Sequence, residues 1–73
     1  MNHATTRAVI LPEIIQMIMR QGKMTEQEAL HSFYTSATGE AFSDDDTGLY
    51  GQSPLYIFGL YCQEKEVPIP EWL

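Results

Sequence analysis

The sequence has little cysteine and little basic charge. A single cysteine among 73 residues excludes an internal disulfide, which is the usual support of very small domains. Four Lys or Arg residues face ten Asp or Glu residues, so the net charge is −6. Affinity for a phosphate backbone comes from Lys and Arg side chains that release counterions, and we therefore expect no direct nucleic-acid binding.

Long hydrophobic runs are missing as well. The longest apolar-rich stretch, residues 8–19, is interrupted by Pro12, Glu13 and Gln16, whereas a membrane span needs about 20 apolar residues. Residues 1–7 contain one basic residue and no secretory cleavage pattern. These absences predict a cytoplasmic protein that does not contact a membrane.

The chain is nevertheless 44% hydrophobic, which is enough for one small domain over residues 1–73. A core of this size supplies little stability beyond the entropy lost on folding unless a disulfide or a metal assists it. We expect close helix packing or self-association to take that role.

Apolar residues recur at helical spacing between residues 8 and 21. Pro12 lies inside this pattern, where proline removes a hydrogen bond and collides with the preceding turn. The helix therefore either begins near Pro12 or is kinked there. We expect it to start between residues 6 and 12, after a mobile N-terminal segment 1–7, and to end at Gly22.

Thr25 and Glu28 have the spacing of a capping box, which is the firmest local signal in the chain. The helix that they open carries an apolar edge that includes Phe33. Because only residues 22–24 separate it from the first helix, we expect the two helices to pack as an αα-hairpin.

A short third helix is predicted after Ser36, whose hydroxyl suits the N-cap position. This helix should extend to about Phe42 and should be weakened by Gly39, because glycine is a poor helix former. Residues 43–51 have the composition of a loop.

Ser53 and Pro54 form a second clear helix start, a capping hydroxyl followed by proline at the first helical position. The helix extends to about Glu66 and is apolar almost all round, as is typical of a helix packed on more than one side. Gly59 in its middle predicts the close approach of another backbone. Residues 67–73 contain two prolines and should form an extended tail.

These elements predict an all-α fold. We expect a small bundle of three principal helices plus a short helix, with an extended Pro-containing C-terminal tail. The last long helix should lie in the middle of the packing, with the tail folded back over it.

The residue types that carry chemistry do not form a recognisable site. Residues 44–46 lack the spacing of a helix-loop-helix calcium site. Glu28 and His31 supply only two of the four ligands of a structural zinc site, so metal binding through them is the weakest alternative. Cys62 lies near the C-terminal end of an apolar helix and is interpreted as a core residue. We therefore expect no enzymatic activity, no cofactor and no metal.

Two stretches of the sequence carry a family resemblance. They are Glu28-Ala29-Leu30 with Phe33-Tyr34, Ser36 and Thr38, and Thr47-Gly48-Leu49-Tyr50 leading into Ser53-Pro54-Leu55-Tyr56-Ile57. Over about residues 9–65 the sequence resembles a group of short, uncharacterised bacterial helical proteins. The resemblance implies a compact helical bundle and an association with toxin-type or other small accessory proteins encoded beside it. Gly39 and the tail that ends in Trp72-Leu73 depart from the pattern of that group.

The aromatic and methionine content favours protein binding. Protein interfaces are enriched in Tyr, Trp and Met, and these side chains exceed what one small core hides. We predict a non-enzymatic protein-protein interaction module that forms a homodimer or is the small partner in a bacterial accessory or toxin-neutralising pair. The candidate interface residues are Tyr56, Leu60, Tyr61, Trp72 and Leu73.

The acidic charge favours an alternative function. A cluster of carboxylates suits a basic partner, so the protein is alternatively an acidic nucleic-acid mimic that inhibits a basic effector protein. The candidate acidic patch consists of Glu40, Asp44, Asp45 and Asp46. Neutralising the patch abolishes binding only if this alternative holds.

Overall fold

Four α-helices make up most of the computed structural model of the protein, which describes residues 4–72. The helices are α1 (Ala4–Gly22), α2 (Glu26–Tyr34), α3 (Ala37–Ser43) and α4 (Pro54–Lys65), and two 3-10 turns cover Asp45–Thr47 and Leu49–Gly51. Residues 67–70 have no regular secondary structure. No strand occurs within residues 4–72, so the predicted all-α class is confirmed.

α1 begins earlier than its sequence pattern predicted. Residues 4–7, which were assigned to the N-terminal segment, belong to its first two turns, and residues 1–3 lie outside the described part of the chain. Pro12 is therefore in the helix interior. It has no amide hydrogen, so the carbonyl of Ala8 has no donor four residues later. Both residues are exposed to solvent.

α1 ends at Gly22, as its sequence predicted. Gly22 is still helical, and Lys23 adopts the left-handed conformation with φ of 53°. The Met24 amide then donates to the Met19 carbonyl at 3.0 Å, a bond typical of a closed helix terminus. Lys23 therefore takes the left-handed conformation that glycine usually supplies at the end of a helix.

The caps of α2 and α3 confirm the sequence signals. The Glu28 amide donates to Thr25 Oγ1 at 3.2 Å, and the Glu28 carboxylate accepts from the Thr25 amide at 2.9 Å. Ser36 Oγ accepts from the Gly39 amide at 2.9 Å. Gly39 is needed here, because a Cβ at this position would lie 1.8 Å from the Phe33 carbonyl oxygen.

α4 also begins as predicted. Ser53 Oγ accepts from the Tyr56 amide at 3.2 Å, and Pro54 occupies the first helical position. Gly59, by contrast, has open space where its Cβ would be, with no atom within 4 Å. The expected close approach of another backbone at Gly59 was therefore wrong.

The core lies among the four helices. α1 packs against α2 and α4, and α3 packs against the same two helices. The buried apolar residues are Ile14, Ile15, Ile18, Ala29, Phe33, Phe42, Ile57, Phe58, Tyr61 and Cys62. Val67 of the tail packs against this core. Within residues 4–72, no helix combines the length and the hydropathy that crossing a membrane requires.

Candidate functional site

One apolar groove lies between α1, the start of α4 and the tail. We call it the Trp72 groove. Its volume is about 390 Å³, and it is lined by Glu13, Gln16, Met17, Arg20, Ser53, Pro54, Leu55 and Trp72. Leu55 is 53% exposed although it is a large apolar side chain. The groove therefore presents apolar surface to solvent between two polar edges.

Trp72 forms one wall of this groove and fastens the tail to the bundle. Its ring stacks on Phe58 of α4, with centroids 5.8 Å apart and planes 22° apart. The Arg20 guanidinium of α1 lies 4.5 Å from the Trp72 ring centroid, within the range of a cation-π interaction. The tail therefore contacts both helices through a single side chain.

A second apolar groove lies on the other flank of α1, against α2. We call it the Pro12 groove. Its volume is about 250 Å³, and it is lined by Leu11, Pro12, Ile15, Gln16, Met19, Glu26 and Leu30. Glu26 is the one charged side chain among the described residues that line it.

The exposed stripe of α1 separates the two grooves. Gln16 lines both of them, and Glu13 and Val9 lie on the same helical stripe. Val9 is 68% exposed, the highest value among the large apolar side chains of the described residues. The outer surface of α1 thus carries two apolar grooves, separated by a stripe that contains Glu13, Gln16 and the exposed Val9.

The predicted interface residues occupy different environments. Trp72 lines a groove and is 37% exposed, and Tyr56 is 52% exposed outside both grooves. Leu60 is half-buried. Leu73 lies outside the described residues.

Tyr61 requires a correction, because it is 2% exposed and belongs to the core. Its hydroxyl lies 2.5 Å from Ser32 Oγ, and its ring packs against Phe33 and Phe58 with centroids 6.3 and 6.5 Å away. Because its hydroxyl is hydrogen-bonded to Ser32 and its ring is buried, Tyr61 has almost no exposed surface that a partner could contact.

The residues that sequence reasoning missed lie mainly on α1. Leu11, Ile15 and Met19 recur every four residues and form one wall of the Pro12 groove. Ile14, Ile15 and Ile18 are buried, whereas Leu11 and Met19 are half-buried, so α2 and α4 cover this apolar face only in part. The width of the apolar pattern is the signal in the sequence that indicates such a groove.

The acidic patch is exposed, but its four members are not equivalent. Asp45 forms an ion pair with Arg7 of α1. Asp44 Oδ1 accepts a hydrogen bond from the Asp46 amide at 2.9 Å and so caps the first 3-10 turn. Glu40 lies in the first turn of α3. Part of this charge therefore stabilises local structure.

Most of the basic side chains face groups of their own chain. Arg7 lies 5.9 Å from the Tyr50 ring centroid, and Lys65 lies 5.8 Å from that of Tyr61. Arg20 lies over Trp72, as described above. Within residues 4–72, Lys23 is the one Lys or Arg without an acidic or aromatic contact.

The other chemically active side chains have structural surroundings. Cys62 is fully buried, and its burial raises the pKa of the thiol. Hydrogen bonding to Thr25, chiefly through the backbone amide, lowers the pKa of the Glu28 carboxyl, which is used in the cap of α2. His31 is exposed. In the part of the chain that the structure describes, no three His, Cys, Asp or Glu side chains are grouped to hold a metal ion.

Comparison with known proteins identifies no relative. No family model matches the chain, and no significant match was found among curated proteins or solved structures. The resemblance to short bacterial helical proteins therefore stays a prediction. The two grooves and the charges around them are the observations from which a function is inferred.

Proposed function

We propose that the protein is a non-enzymatic protein-protein interaction module that binds its partner through the outer surface of α1. The supporting observation is the pair of apolar grooves, about 390 and 250 Å³ in volume, on the two flanks of this helix. Contiguous apolar surface with a polar rim is typical of protein-binding sites.

The exposed side chains give this surface its binding energy. Val9 and Leu55 are more than half exposed, and Trp72 is more than one-third exposed. Burying a large apolar side chain contributes about 1.5–3 kcal/mol, and tryptophan is among the residues that contribute most at interfaces. A partner that covers the Trp72 groove therefore buries Leu55 and Trp72, and a partner that extends along the exposed stripe of α1 also buries Val9.

The fold serves as a scaffold in this proposal. Three principal helices and the short α3 hold the surface in place, and the extended tail supplies Trp72 as one wall of the Trp72 groove. The partner is a second copy of the chain or a different protein in a bacterial accessory or toxin-neutralising pair, and the resemblance noted above supports the second form. The expected location is the cytoplasm.

Site-specific photocross-linking tests the proposal. A photoreactive amino acid replaces Gln16, which lines both grooves, and in a matched control it replaces the exposed Gln63 of α4. The Gln16 probe should form an adduct in the native cell that the Gln63 probe does not form. An adduct of twice the 8.3 kDa chain mass indicates a homodimer, and any other discrete mass indicates a different partner. Identical adduct patterns from both probes contradict the proposal.

An acidic nucleic-acid mimic is the second candidate function. Asp44 and Asp46 are exposed and have no cationic partner among the described residues, which favours contact with a basic protein. Changing both residues to Asn, with the Arg7–Asp45 pair left intact, should abolish binding and its salt dependence in this case. If the α1 surface is the binding site, the same double variant should bind normally.

A further inference from the structure

We infer that the Pro12 groove binds a basic amphipathic helix of a partner protein. This inference rests on the proposed function and specifies the chemistry of the partner for one of the two grooves. Three features of the groove support it: its apolar wall, its single negative charge and the helix-interior proline at its edge.

The wall of the Pro12 groove suits the apolar side of a helix. Leu11, Ile15 and Met19 from α1 face Leu30 of α2 across a volume of about 250 Å³. Helices bind in such grooves by inserting apolar side chains spaced three and four residues apart. Methionine in the wall suits this role, because its unbranched side chain adapts to the shape of a partner.

The charge at the groove favours a cation on the partner. Glu26 occupies the first position of α2, but the capping carboxylate of that helix is Glu28, so the Glu26 side chain is not used in the cap. Among residues 4–72, Glu26 has no ion-pair partner. Glu13 lines the Trp72 groove and not this one, so Glu26 is the carboxylate that the Pro12 groove presents among the described residues. A Lys or Arg side chain next to the apolar residues of the partner would pair with Glu26.

The net charge of the chain favours a basic partner over a second copy of the chain as the occupant of this groove. Arg7, Arg20 and Lys65 are engaged with aromatic rings of their own chain, and Arg7 also pairs with Asp45. Two copies that each carry −6 repel one another at close approach, whereas a basic helix is attracted to the same surface. The electrostatic complement of this groove is therefore cationic.

Pro12, at the edge of the groove, is an unfavourable residue for the interior of a helix. Proline in a helix interior costs about 3 kcal/mol relative to alanine, yet Pro12 is exposed and lines the groove. Such conflicts between local preference and fold are expected at functional sites. The carbonyl of Ala8, which lacks a donor four residues later, adds a hydrogen-bond acceptor one turn before the proline.

Two synthetic peptides test this inference. Each has about 18 residues, long enough to form a helix, with Leu at helical spacing and either Lys or Glu at the remaining positions. The ¹⁵N-labelled full chain is titrated with each peptide, and amide chemical shifts locate the binding surface. The Lys peptide should shift the amides of residues 11, 13–19 and 26–30, and the Glu peptide should leave them unchanged.

Matched variants separate the groove from the general effect of charge. Gln16→Arg places a cation at the groove, and Gln63→Arg adds the same charge at an exposed position of α4 that lines neither groove. Q16R should weaken binding of the Lys peptide at least about tenfold, and Q63R should change it less than about twofold. Glu26→Gln should weaken it about threefold to tenfold, and Glu40→Gln, the control in the acidic patch, should not. Equal effects within either pair overturn the inference.

The two peptides also distinguish failure of this inference from failure of the proposed function. If both peptides shift the groove amides equally, the groove binds helices without regard to charge, which overturns only the basic partner. If neither peptide shifts the α1 amides and the Gln16 probe forms no specific adduct, the α1 surface is not the binding site and both proposals are wrong.

Discussion

The Glu64 carboxylate of α4 accepts hydrogen bonds from both the amide and the hydroxyl of Thr38, at 2.8 and 2.7 Å, in the first turn of α3. The Ala37 amide donates to the same carboxylate at 2.7 Å. The first amides of a helix have no partner within the helix. A side chain from another helix therefore completes the N-terminus of α3 and ties it to α4.

Glu64→Gln should destabilise the protein by about 1 kcal/mol at pH 7. Hydrogen bonds to a charged group contribute about 1.5–3 kcal/mol, and we reduce this figure because Glu64 is exposed to solvent. Urea denaturation followed by circular dichroism measures the change. The control Glu40→Gln removes an exposed carboxylate from the same region, and an equal loss in both variants argues against the inter-helix cap.

The contribution of Glu64 should disappear in acid. Partial burial acts to raise the pKa of the Glu64 carboxyl, but hydrogen bonds from Thr38 and Ala37 outweigh it and hold the pKa below the usual value of 4.5. A lowered folded-state pKa gives stability that is present above pH 4.5 and lost as the pH falls through the folded value. The difference between wild type and E64Q should therefore shrink steadily below pH 4.5. A difference that stays constant down to full protonation contradicts this linkage.

Gly39 and Gly59 should respond in opposite directions to alanine. Gly39→Ala should destabilise the protein by at least about 2 kcal/mol, because the new Cβ would overlap the Phe33 carbonyl. Gly59→Ala should stabilise it by about 0.5–1 kcal/mol, because alanine favours a helix and the site has room. Thermal unfolding of the two variants measures both changes. A loss of stability in G59A means that α4 is packed more tightly at this position than described.

Pro12→Ala should stabilise the protein by about 2 kcal/mol. Alanine is about 3 kcal/mol better than proline in a helix interior, and about 1 kcal/mol is lost because the unfolded chain becomes less restricted. The exposed Val9→Ala in the same helix is the control and should change the stability by less than about 0.5 kcal/mol. Denaturant titration of both variants gives the comparison, and a destabilised P12A shows that proline is needed for the shape of α1.

Arg20→Ala should loosen the tail without unfolding the bundle. Trp72 is the single tryptophan of the chain, so the tryptophan fluorescence reports the surroundings of this one side chain. Loss of the cation-π interaction should shift the emission to longer wavelength, increase quenching by acrylamide and lower the stability by about 0.5 kcal/mol. Lys65→Ala removes the same charge from a ring contact on Tyr61. It should leave the tryptophan spectrum unchanged, and equal spectra for R20A and wild type contradict the described contact.

Short-range signals account for the elements that sequence predicted well. The Thr25 box and the Ser53-Pro54 start depend on atoms within three residues of each other, and both are present in the structure. Only one of the two side chains that cap α3 can be predicted from the sequence. Ser36 directly precedes the helix and is a typical N-cap residue, whereas Glu64 lies 26 residues after Thr38, and no sequence pattern links the two.

Long-range packing explains the predictions that failed. α4 is apolar nearly all round, so periodicity does not reveal that Tyr61 faces the core while Tyr56 faces solvent. The same ambiguity led Gly59 to be assigned a close backbone contact, when the crowded glycine is Gly39. Local preference at Pro12 predicts either a helix start near this residue or a kink. α1 nevertheless continues on both sides of Pro12. Ile10 before the proline and Ile14 and Ile18 after it all pack in or against the core, and this packing holds the segment as one helix.

The buried thiol of Cys62 can be used to measure how the hydrophobic core opens. It is the single thiol of the sequence and is fully buried, and its burial raises the pKa and keeps the sulfur in its unreactive protonated form. A thiol reagent reaches it when opening of the structure exposes the core, so the rate of modification reports the population of opened molecules when reclosing is fast and the rate of opening when reclosing is slow. In the presence of a bound partner, slower modification of Cys62 would measure how far binding at the surface restrains motion of the interior.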